Sequence, residues 1–170
     1  MNGISGKHHA GFTMIEIISV LVIVGVLATV VVQHINDINA DLVTKAELIK
    51  NQLRYAQSRA MNSDAFWYVT FEPDGSGGYR YSLNETGATS NPIYLPGEGN
   101  GYVTLPAGMS LQYGGSDITT PIHINFSSKW GKPHTDTAGT VYQTGNRTIT
   151  LVDAGKSREI TVTENTGFIP

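Results

Sequence analysis

Residues 12–32 carry a single ionisable side chain, Glu16, and are otherwise apolar or small. As a helix these ~21 residues reach roughly 31 Å, which matches the hydrocarbon thickness of a bilayer. The stretch is long enough to cross a membrane. A secretory signal peptide would have a shorter apolar region followed by a small-residue cleavage motif. Here Gly11 precedes the run, and a cut after it would leave the apolar helix on the mature chain. Residues 1–11 hold Lys7 and no acid, and the first acid past the run is Asp37. The positive-inside rule therefore predicts a cytoplasmic N-terminus, with the rest of the chain outside.

Glu16 is the anomaly in this segment, because an ionised carboxylate inside a membrane helix costs on the order of 3 kcal/mol. One reading leaves it hydrated at interface depth, four residues inside the helix. The other is charge pairing. Cleavage after Gly11 would create a positive amine on Phe12, and the Glu16 carboxylate of a neighbouring subunit could meet that amine between packed helices. Removing either partner would strand the other, which is the expensive case.

Gly11 followed by Phe12, Thr13, Met14, Ile15, Glu16 and an apolar helix resembles the N-terminal signature of type IV pilins and type II secretion pseudopilins. The resemblance implies cleavage after Gly11 by a prepilin peptidase, N-methylation of Phe12, and a role for Glu16 in aligning each subunit during filament assembly. It also implies partners: the peptidase, other pilins or pseudopilins, the inner membrane, and the assembly platform of a secretion or pilus machine. The leader departs from the commonest pattern, since His9 and Ala10 precede the glycine and the basic residue, Lys7, lies further back.

With 170 residues, 40 % hydrophobic and 15 % charged, the chain has room for one membrane helix and one compact domain of about 120 to 130 residues. The formal net charge of −3 becomes −4 once residues 1–11, with Lys7, are removed. No global basic footprint points to nucleic acid. The absence of cysteine excludes disulfides, thiolate metal sites and cysteine catalysis.

The boundaries expected are a leader at 1–11, a transmembrane and assembly helix at 12–32, an amphipathic helix at 33–63 and a β-rich periplasmic domain at 64–170. Between residues 33 and 41 the sequence is polar and rich in Asn and Asp, so the helix either continues there or breaks. Beyond it Leu42, Ala46, Ile49, Leu53, Ala56 and Ala60 form a narrow apolar stripe that must lie against something. Thr44 with Glu47 has the form of a capping box, without meaning inside a continuous helix. Strands are expected at 66–71, 79–83, 102–105, 109–113, 122–127, 147–152 and 159–163, with a short extended piece at 93–95. A helix followed by antiparallel strands argues for an α+β fold, the helix packed across a sheet. Residues 46–62 and the strand running into Thr166 and Gly167 are similar to the GspH/FimT branch of the family.

No enzyme motif competes with this reading. His8 and His9 lie in the leader, and His34, His123 and His134 lack metal-ligand spacing, so neither a metal site nor a cofactor is expected. The glycine-rich stretches at 75–78 and 97–101 do not fit a phosphate-binding loop. Lys156 and Arg158 sit at an expected hairpin tip with Arg147 on the partner strand. The ordinary reading is a charged turn. The alternative is weak, salt-sensitive contact with a DNA backbone, since minor pilins of the FimT kind include DNA-capturing members. Sequence alone thus favours a non-enzymatic minor pseudopilin of a type II secretion filament, with a minor pilin for pilus assembly or DNA uptake as the alternative.

Overall fold

The computed structural model describes residues 13–36 (side chains to 28), 40–88, 92–95, 97, 99–136 and 141–170. The chain divides into two units, Met1–Asn39 and Ala40–Pro170. In the first, α1 spans Met14–Asn36. Among the described residues no helix is long and apolar enough to cross a membrane, so α1 does not by itself establish the crossing expected of residues 12–32.

The second unit opens with α2, Ala40–Met61. Asp41 in its first turn and Arg59 in its last both complement the helix dipole. Thr44 and Glu47 are interior to α2, so their capping-box spacing has no capping role. The helix closes at Asn62, whose amide N–H donates to the Ser58 carbonyl at 3.2 Å and whose side-chain Nδ2 donates to the same carbonyl at 2.7 Å.

The apolar stripe is buried as expected: Ile49, Leu53, Ala56 and Ala60 are fully enclosed, and Leu42 and Ala46 nearly so. Each of the larger side chains contributes about 1.5–3 kcal/mol by leaving water. The alanines let the helix approach closely.

Among the described residues nine short strands follow: β1 Trp67–Pro73, β2 Tyr79–Glu85, β3 Tyr102–Thr104, β4 Ser110–Tyr113, β5 Ser116–Asp117, β6 Ile122–Phe126, β7 Pro133–His134, β8 Arg147–Asp153 and β9 Lys156–Val162. They form two antiparallel sheets, β3-β2-β1-β6-β7 and β5-β4-β8-β9. The α+β class therefore holds, with two sheets where the sequence suggested one.

The division arises after β3. The Leu105 N–H still donates to the Tyr79 carbonyl at 2.8 Å, but the turn closed by Met109 N–H on the Pro106 carbonyl, with Gly108 at φ 88°, carries the chain into the second sheet. Alternation along the strands puts Trp67, Val69, Phe71, Ile124 and Phe126 of the first sheet into the core with Leu111, Ile149, Leu151 and Ile160 of the second. α2 backs both, meeting β1 and β6 of one and β8 and β9 of the other. That shared role is why its stripe runs the length of the helix.

Candidate assembly segment and domain surface

Gly11 and Phe12 lie outside the described residues. Thr13 is the N-cap of α1: its carbonyl accepts the Glu16 N–H at 3.1 Å and the Ile17 N–H at 3.3 Å, and its Oγ1 lies 3.4 Å from the Glu16 nitrogen. Glu16 thus occupies the third helical position of a Thr-x-x-Glu start, where the helix dipole favours a negative charge. Sequence reading overlooked this spacing, although the four residues carry it openly. Glu16 is solvent-exposed and has no ion-pair partner among the described residues.

Around it α1 presents apolar side chains in every direction. Met14, Ile15, Leu21, Val22 and Val26 are each at least 60 % exposed, and Ile18, Ile23, Val24 and Leu27 more than half. A helix apolar all round is stable only inside lipid or among other apolar helices.

The hairpin cations do not converge. Pairing of β8 with β9 sets Lys156 opposite Asp153 at the turn and Arg147 opposite Val162 at the open end. Six residues of strand separate the two positions, about 20 Å. The Arg147 Nη1 also donates to the His123 carbonyl at 2.7 Å, on the other sheet. Arg158 lines a hollow of about 310 Å³ between α2 and β9 with Lys50, Glu47 and Glu159, so two carboxylates offset two cations there.

The outward face of the first sheet is polar and linked by side-chain hydrogen bonds, with the buried Asn125 Oδ1 and the two His134 ring nitrogens left without a hydrogen-bond partner among the described residues. Thr70 Oγ1 meets His123 Nδ1 at 2.9 Å and accepts Asn84 Nδ2 at 3.1 Å. Arg80 pairs with Glu72 at 2.7 Å while lying 4.2 Å over the Tyr102 ring. Burial, with a smaller contribution from Arg147, holds the His123 pKa below its usual value, against an opposing pull from Glu72. His134 is only 2 % exposed, edge-on to Phe66 and 4.5 Å from the Tyr142 ring, and burial lowers its pKa too. Among the described residues no cluster of His, Asp and Glu is arranged to hold a metal ion.

At the C-terminal end of α2 two turns meet. The Gln57 side-chain amide donates to the Gly131 carbonyl at 3.0 Å and to the Thr166 carbonyl at 2.9 Å. The Lys129 N–H donates to the Ala60 carbonyl at 3.0 Å. Lys129, Gly131, Asn165 and Gly167 all have φ between 62° and 67°, which makes both turns tight. They display Trp130 at 73 % exposure and Phe168 at 62 %, beside Met61 at 50 %. Sequence reading did not single out these three. The available signal was a tryptophan between Lys129 and Gly131, in a turn rather than a strand.

Residues 6–32 match the family model of the prokaryotic N-terminal methylation motif. Comparison with curated proteins gives no match. Among solved structures the chain is similar to two crystal forms of the type IV minor pilin FimU of Pseudomonas aeruginosa. One gives a TM-score of 0.52 at 18 % identity, covering 77 % of this chain and 87 % of that one. The other gives 0.50 at 18 % identity, covering 76 % and 90 %.

The chain carries an N-terminal methylation motif of prokaryotic proteins. Its helix-backed antiparallel β domain has a fold similar to that of a type IV minor pilin.

Proposed function

We propose that the chain is a minor structural subunit of a type IV pilus, cleaved after Gly11, methylated at Phe12, held in the inner membrane through residues 12–32, and incorporated with its β domain outside. The observation that carries this is the joining of an all-round apolar helix, capped at Thr13 and carrying one exposed carboxylate at Glu16, to a minor-pilin fold. Phe12 would supply the new positive end, and Glu16, four residues further along the sequence, would receive that of a neighbour. In lipid α1 is stable alone; on assembly it exchanges lipid contacts for helix contacts.

Assignment to a type II secretion pseudopilus rests on the same N-terminal features, and the likeness to a type IV minor pilin favours the pilus. DNA capture draws less support, because Arg147 is far from Lys156 along the hairpin and Arg158 shares its hollow with carboxylates.

Mass spectrometry of the mature chain from cells with an active prepilin peptidase is expected to give N-methylated Phe12 as the first residue; an intact leader would sink the processing step. A deletion strain scored together for surface pili, exoprotein secretion and DNA uptake is expected to lose pili alone. Loss of secretion with pili intact would transfer the subunit to a pseudopilus.

A further inference from the structure

Most asparagines of the β domain are held in place. Asn62 Nδ2 donates to the Ser58 carbonyl at 2.7 Å, and the next N–H, that of Ser63, donates to the Ala60 carbonyl at 3.4 Å. Asn165 is fixed in the same way, with its Nδ2 3.5 Å from Glu164 Oε1 and the Thr166 N–H donating to the Glu164 carbonyl at 2.7 Å. Asn51, Asn84 and Asn146 each make a side-chain hydrogen bond, and Asn125 is buried on β6. Asn100 is the exception. It is exposed and outside any helix or strand, and among the described residues neither its side chain nor the following Gly101 N–H has a hydrogen-bond partner.

The free nitrogen has a cause in the sheet. Pairing of β2 with β3 ends at Ser82 and Tyr102, and the carbonyl that Gly101 would meet by continuing that register, Leu83, accepts the Ile93 N–H at 2.7 Å instead. Gly101 is also held to glycine, because a Cβ there would stand 2.6 Å from the Pro92 carbonyl oxygen. Packing thus keeps after Asn100 the residue type that crowds its own nitrogen least.

We propose that Asn100–Gly101 is a self-modifying site, at which the Gly101 nitrogen attacks the side-chain carbonyl carbon of Asn100. The new N–C bond closes a five-membered succinimide ring, the bond from that carbon to the amide nitrogen breaks, and the amide leaves as ammonia with the Gly101 proton. Water then opens the ring at either carbonyl, giving aspartate or isoaspartate. No enzyme is needed, since the reacting groups sit on adjacent residues and the attack is intramolecular. At Asn62 and Asn165 the corresponding nitrogen is bonded and its residue carries a Cβ. Either product adds a negative charge two residues from Tyr102, whose ring carries the Arg80 guanidinium at 4.2 Å. Isoaspartate also lengthens the main chain by a methylene beside Gly101, at the edge of a hollow of about 230 Å³ lined by Pro92, Tyr94, Gly101 and Tyr102. That surface therefore changes with the age of the molecule.

The test incubates the full-length chain, purified in detergent, in mildly alkaline buffer and follows each asparagine by peptide mass spectrometry. Residue 100 is expected to convert on the order of tenfold faster than Asn62 or Asn165, with isoaspartate among the products. Asn100→Gln, which would have to close a six-membered ring, is expected to lose the conversion at that position. An Asn100 that stays intact in the folded chain but converts in urea would overturn the proposal, because the fold would then be protecting it. Conversion at Asn62 or Asn165 keeping pace with residue 100 would remove the free N–H as the cause. Aspartate without isoaspartate would rule out the ring, since direct hydrolysis gives aspartate alone.

Discussion

The side-chain amide of Gln57 donates to the Gly131 carbonyl at 3.0 Å, tying the end of α2 to the turn that displays Trp130. The same Nε2 reaches Thr166 at 2.9 Å, so one helix residue closes two loops. Gln57→Leu leaves both carbonyls without this donor and is expected to destabilise the domain by about 1–3 kcal/mol. Urea unfolding of residues 40–170 checks it, and an unchanged midpoint would remove the clamp from consideration.

Gly167 is more tightly constrained than Gly131. Its φ is 67°, and a Cβ there would fall 2.7 Å from Gln57 Nε2 and 2.9 Å from the Gly131 backbone oxygen. At Gly131 the nearest atoms to the added one belong to the Met61 and Gln57 side chains, and Met61, half exposed, has room to move. Gly167→Ala is therefore expected to cost more than Gly131→Ala, about 2–3 kcal/mol against about 1. Thermal melts of the two variants decide the order.

Ala154 stands at φ 47° in the two-residue β8–β9 turn, followed by Gly155 at φ 78°. That geometry favours Asn or Gly at the first position, because a Cβ is strained in the left-handed region. Ala154→Asn is expected to raise stability by about 0.5–1 kcal/mol. A lowered melting temperature would contradict this account of the turn.

His134 makes stability depend on pH. Its lowered pKa comes first from burial; Asp136 and the Val141 backbone act upward and Lys132 downward. Between that lowered value and the ordinary ~6.5 of an unfolded histidine, the unfolded chain binds more protons than the native one. Stability therefore rises with pH through this window and falls on the acid side. His123 acts in the same direction. His134→Phe is expected to flatten the difference between urea midpoints at pH 5 and pH 7.5 without abolishing it. An undiminished difference would locate the titration elsewhere.

Sequence periodicity was enough to identify the face of α2, because its stripe obeys one local rule, the 3.6-residue repeat, and Leu42, Ala46, Ile49, Leu53, Ala56 and Ala60 are all buried. The long strands were legible for the same reason. β5 and β7 were not read, being two residues each: Ser116–Asp117 depends on the Gly114–Gly115 turn, and Pro133–His134 exists only by pairing with β6. The division into two sheets was invisible because strand partnership is non-local. Periodicity in Ser110–Tyr113 does not say that β8 rather than β3 is its neighbour. Arg147 illustrates the same limit, since only register shows how far it lies from Lys156. Trp130 was missed because an exposed aromatic in a turn has no period at all.

The guanidinium of Arg54 donates through Nε and Nη2 to the Ile169 carbonyl, at 3.2 and 2.9 Å, while Ile169 itself is buried. In a chain without cysteine, this arginine fastens residues 163–170 to α2. The closure forms no covalent bond and transfers no electrons. The domain is therefore expected to reach its native state equally well in reducing and oxidising compartments, independent of any thiol-oxidising helper.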